Sequence, residues 1–112
     1  MRSIDHNTEE AVRRFLSHVA ERYDVAGAIL YGSRSRGDHK KDSDADVAVL
    51  LSGERQRFLP VMRDMGNDAY DVLLETDIFI SPMPIWLEEW ERPEDSWNPE
   101  LFRNIARDGI RL

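Results

Sequence analysis

Val12, Phe15, Leu16, Val19, Ala20 and Tyr23 recur at helical spacing near the start of the chain. They lay one apolar stripe along a helix predicted over about residues 8–23. Asn7-Thr8-Glu9-Glu10 reads as its cap, with Glu10 reaching back. Val25 to Tyr31 is almost wholly apolar and predicts a strand buried on both faces. A charged loop, Gly32 to Ser43, interrupts the pattern before a second strand, Ala45 to Leu51. On that strand Val47, Val49 and Leu51 face one way and Asp46, Ala48 and Leu50 the other, with Asp44 just ahead. Beyond Ser52-Gly53, the run Phe58, Leu59, Met62, Met65, Ala69, Val72 and Leu73 predicts a long helix. Its two methionines sit at core spacing, and Pro60 is confined to about its first turn. Thr76 to Ser81 reads as a third strand closed by Pro82 and Pro84, followed by a short helix carrying Trp86, Leu87 and Trp90. Asn98-Pro99-Glu100 starts a last helix with Leu101, Phe102, Ile105 and Ala106 on its apolar face and Gly109 as its stop. The order helix–strand–strand–helix–strand–helix predicts an α/β (α+β) fold, a small mixed sheet packed with helices.

With 112 residues and no repeat or linker, one domain spanning residues 1–112 is expected. A composition of 41% apolar and 33% charged residues is that of a folded globular chain. No stretch approaches the roughly 20 apolar residues of a membrane span. The polar start Met-Arg-Ser-Ile-Asp-His does not read as a signal peptide, so a cytoplasmic location is expected. The absence of cysteine excludes disulfides and thiolate zinc sites. A net charge of −7 argues against gripping a nucleic-acid duplex, because counterion release needs a basic surface. A mononucleotide, whose charge a bound cation neutralises locally, stays open.

The candidate chemistry lies between the first two strands. Asp44 and Asp46 sit two apart, so on extended chain both point to one face. Neighbouring carboxylates repel, and a bridging cation relieves them. Gly32 and Ser33 follow the preceding strand, a place suited to presenting N–H groups and a hydroxyl to phosphate oxygens. An isolated Asp-x-Asp is usually a solvated turn; its place between a strand-terminal Gly-Ser and an apolar strand gives it meaning.

Gly32-Ser33-Arg34-Ser35-Arg36-Gly37, followed by Ser43-Asp44-Ala45-Asp46 and Val47-Ala48-Val49, resembles the signature of the polymerase-β-like nucleotidyltransferase superfamily. In length the chain is similar to the minimal nucleotidyltransferases, stand-alone domains often paired with a helical HEPN-type partner in toxin–antitoxin systems. The motif core spans residues 25–82, and residues 83–112 form a helical extension without a matching motif.

The resemblance implies that Asp44 and Asp46 hold Mg²⁺, that Gly32 and Ser33 cradle the β- and γ-phosphates of ATP, and that Arg36 balances charge on the departing pyrophosphate. Arg34 is a second candidate for that role. For either arginine the alternative is a surface ion pair with Asp38, Asp42 or Asp44, weighing more on Arg34 than on Arg36, whose place before Gly37 matches the family pattern. In the superfamily a third acid on a following strand completes the catalytic set. Here Glu75 and Asp77 are the candidates, with Asp77 nearer the apolar stretch. His18 reads as solvated, His39-Lys40-Lys41 as a charged loop tip, and Trp86 with Trp90 as one helix face that either caps the sheet or meets a second chain. Little chain remains to build a wall for an acceptor, so an acceptor site shared with a partner protein or a second copy is expected. The resulting expectation is transfer of AMP to a hydroxyl of a HEPN-type partner. The alternatives are a catalytically degenerate antitoxin acting by binding and, less favoured, transfer to a small molecule.

Overall fold

A computed structural model describes residues 4–37 and 43–112, so the loop tip at 39–41 lies outside the described residues. Helix α1 (His6–Ala20) is followed by strand β1 (Val25–Tyr31), a one-turn helix α2 (Ser33–Arg36) and strand β2 (Ala45–Leu51). Helix α3 (Phe58–Thr76) then leads to strand β3 (Ile80–Trp86), and short helix α4 (Leu87–Glu91) precedes a 3₁₀ turn (Pro93–Asp95). Helix α5 (Pro99–Asp108) and a two-residue strand β4 (Ile110–Arg111) complete the chain. The strands form one sheet ordered β3-β2-β1-β4, antiparallel except for the parallel β2–β3 pair.

The alternation on β2 divides the protein into two layers. Ala45, Val47, Val49 and Leu51 face α1 and α3, where Phe15, Val19, Leu30, Met65, Val72 and Trp86 fill the larger core. Ala48 and Leu50 face the opposite way, against Ile29, Met83, Ile85 and the α5 residues Phe102 and Ile105. Asp46 shares this second face by parity.

Several boundaries depart from the pattern-based expectation. Helix α1 starts at His6 because Asp5 caps it: the Asp5 carboxylate accepts from the Thr8 N–H at 3.1 Å and from the Thr8 hydroxyl at 2.7 Å. Met65 is buried, whereas Met62 lies on the outer side of α3. The third strand is Ile80–Trp86, not Thr76–Ser81, and it contains the two prolines expected to end it. Phe79 accepts from the Ala45 N–H, so alternate residues from Phe79 onward turn their backbone groups toward β2. Pro82 and Pro84 belong to the other set, with their nitrogens toward the open edge, where no ladder bond is lost. Trp86 therefore ends a strand and packs in the larger core, while Trp90 packs on α4 against the smaller one; they do not share a helix face. Helix α5 begins and ends as expected, with the Asn98 side chain accepting from the Leu101 N–H at 3.2 Å and Gly109 at its end.

Candidate active site

The antiparallel register pairs Tyr31, the last residue of β1, with Asp46, the second residue of β2. The turn that follows β1 and the acids that open β2 are thereby neighbours. Gly32 has φ 77° and ψ −159°, a conformation open almost only to glycine. A Cβ added at Gly32 would lie 2.4 Å from Asp46 Oδ2, so the turn rests on the carboxylate only because that side chain is missing. Ser33 opens α2, and the first N–H groups of such a turn have no carbonyl within the helix to bond.

Asp46 is half-buried, and its carboxyl is pushed above the ordinary aspartate range, first by burial and then by the charge of Asp44. Asp44 is exposed, just ahead of β2. Across the register, burial and then the Asp46 charge push the Tyr31 phenol up to about 12, so its O–H stays protonated at neutral pH. The Asp46 carboxylate thus lies against the Gly32 turn, with the Asp44 charge near enough to repel it. Burial and the Asp44 charge bearing on Asp46, beside the glycine turn, are what a divalent cation would offset, and Asp44 and Asp46 are the residues that would hold one.

The two arginines of the turn part company. One helical turn sets residues two apart on nearly opposite sides. Arg34 points inward, 4% exposed, donating through Nε to the Ser43 carbonyl at 2.8 Å and through Nη1 to the Thr8 hydroxyl at 2.8 Å. It fastens α1 to the approach of β2, a structural role. Arg36 is exposed and lines a cavity of about 190 Å³ with Tyr31, Gly32, Leu101, Asn104, Ile105 and Asp108. Helix α5 thus supplies a wall beside Tyr31, Gly32 and Arg36, which the sequence pattern did not announce. The only local signal was its strong amphipathicity, which does not say which face of the sheet it covers. Two larger hollows, of about 440 Å³ by Arg55 and Glu89 and about 410 Å³ between α1 and β4, include no residue of the Gly32 turn.

The third acid is not where the pattern placed it. Glu75 lies within α3, where it accepts from Arg14 Nη1 at 2.7 Å and sits 3.6 Å from His18; the Arg14 bond holds its carboxyl below the usual range. Asp77 is the C-cap of α3 in the left-handed conformation (φ 64°), its N–H bonded to the Leu73 carbonyl at 2.8 Å. Neither residue is on β3. The β3 residue opposite Asp46 is Ser81, and the next on that face is Met83. Among the described residues, no third aspartate, glutamate or histidine joins Asp44 and Asp46 in a metal-holding cluster.

A sequence profile described as "Nucleotidyltransferase domain" matches residues 12–105, a span that takes in both acids, the Gly-Ser turn and most of α5. A crystal structure of a candidate nucleotidyltransferase from Sulfolobus solfataricus is similar at 17% identity with a TM-score of 0.46, covering 96% of this chain and 86% of the other. No curated protein matches the chain. With the profile spanning most of its length, the chain belongs to the nucleotidyltransferase domain family, within the polymerase-β-like superfamily.

Proposed function

We propose that this chain transfers a nucleoside monophosphate, AMP from ATP, to a hydroxyl on a partner protein, in the manner of a minimal antitoxin-type nucleotidyltransferase with a HEPN-type target. The observation that supports the reading is the closeness of the Gly32 turn to the Asp46 carboxylate, as expected where a phosphate cradle adjoins a metal-holding acid. Asp44 and Asp46 would hold Mg²⁺; when bound, the ion neutralises phosphate charge as the α-phosphorus is attacked. Ser33 and the N–H groups that open α2 would receive the β- and γ-phosphates, and Arg36, exposed beside them, would draw the leaving pyrophosphate. The acceptor hydroxyl would enter beside the α5 wall, carried on another protein.

A second reading has its own support. Ser81 occupies the β3 position opposite Asp46, and Asp77 is tied up as a helix cap. A chain so built would hold nucleotide and metal and act by binding its partner, without transfer. Incubation with Mg²⁺, α-labelled ATP and a HEPN-type protein separates the two. Label on the partner that disappears with Asp44→Asn supports transfer. Binding of ATP that needs Asp44 and Asp46 but leaves no label supports the second reading, and no magnesium-dependent binding at all defeats both.

A further inference from the structure

Four of the seven large apolar side chains left exposed among the described residues belong to α3: Leu59 (59%), Met62 (37%), Tyr70 (56%) and Leu74 (69%). At about 100° per residue Leu59, Tyr70 and Leu74 fall within one narrow arc, opposite Val61, Met65 and Val72, which face the core, while Met62 stands at the arc's edge beside buried Ala69. Scattered apolar side chains on a surface are ordinary; a stripe along one helix marks a contact face. Gly66 lies midway along the helix, beside this arc. A Cβ there would meet nothing within 4 Å, so the fold itself gives no reason for a residue disfavoured in helix interiors. Close approach of another backbone does give one.

We propose that this face pairs with the same face of a second copy, α3 against α3, antiparallel, about a two-fold axis passing near Gly66 and Asn67. In that register Leu59 meets Leu74 of the second copy, Met62 meets its Tyr70, and glycine sits at the crossing point where the axes come closest. Charge supports this occupant. At net −7 two copies repel unless cations stand at the contact. Arg63, exposed on the same arc, comes opposite Tyr70 and Asp71 of the second copy, and Asp71 opposite its Arg63. One exposed arginine and one exposed aspartate, two helical turns apart on one flank, become two symmetric ion pairs. The face lies on the α1/α3 layer, across the sheet from Asp46, so pairing leaves the candidate active site uncovered and is independent of the proposed reaction.

Sedimentation equilibrium on the full chain tests the pairing, with circular dichroism verifying that each variant folds. The wild type is expected to move from 13.0 kDa toward twice that mass as concentration rises. Arg63→Asp and Asp71→Arg should each weaken association about tenfold or more, and the double swap should restore it, a rescue that demands these two positions face each other. A wild type that stays monomeric throughout overturns the proposal. So does a double swap that fails to restore what the single swaps lose.

Discussion

At the scale of single residues, the Gly32–Asp46 contact sets a sharp requirement. Gly32→Ala introduces a Cβ into a conformation that disfavours it by about 1–3 kcal/mol and drives it onto a carboxylate oxygen. Titration calorimetry should show magnesium–ATP binding lost in this variant while the fold survives; binding at wild-type strength would remove the cradle from the argument. Asp46 makes an opposite prediction for stability. Its carboxyl is raised above the unfolded value, so its contribution is full at low pH, where it is neutral, and is lost as pH rises through its folded pKa. Asp46→Asn should therefore melt higher than wild type at pH 7 without metal, with the gap closing below the ordinary carboxylate range, while magnesium-dependent binding disappears. A lower melting point at pH 7 would contradict the repulsion described. The acids and the glycine were legible in the sequence because strand alternation and turn chemistry are local. The fates of Arg34 and Arg36 were not, because a segment read as loop closes into a helical turn that sends one inward and the other outward.

At the scale of elements, Arg34 joins three of them: it belongs to α2, holds the Thr8 hydroxyl of α1, and holds the Ser43 carbonyl ahead of β2. Removing a buried charged donor strands its acceptors, so Arg34→Ala should cost about 2–3 kcal/mol by urea denaturation. Arg34→Lys should not recover it, because one ammonium cannot reproduce the divergent geometry of Nε and Nη1. Full stability in Arg34→Lys would show that charge alone matters there. The third strand is where pattern reading went astray. Pro82 and Pro84 are sound stop signals for a central strand, but β3 is an edge strand, and edge position is a property of the assembled sheet. The same displacement leaves Asp77 off the strand and Glu75 inside a helix, since α3 continues to Thr76 and uses Asp77 to end.

At the scale of the whole molecule, the sheet has a thick side and a thin one. The α1/α3 layer holds the larger core, whereas the face carrying Asp46 depends on α5 and its neighbours. Phe102, 1% exposed, lies 6.0 Å from the Trp97 ring and 6.1 Å from the Trp90 ring. Phe102→Ala should cost about 3–5 kcal/mol and loosen the wall beside Gly32, so calorimetric stability and nucleotide affinity should fall together. Loss of stability with affinity untouched would separate α5 from the site. The layered α/β architecture was readable from the order of the periodic segments. That the last helix folds back beside the Gly32 turn was not, because amphipathicity announces that a helix packs without saying on what.

The prolines of β3 reach beyond their own strand. With Pro82 and Pro84 aiming ring nitrogens outward and β4 only two residues long at the opposite margin, the sheet presents no continuous row of amides for an incoming peptide to zip onto. Strand-shaped ligands and fibril templates are thereby disfavoured at the β3 rim. A designed inhibitor of this protein should accordingly be helical or cyclic, shaped to grip side chains.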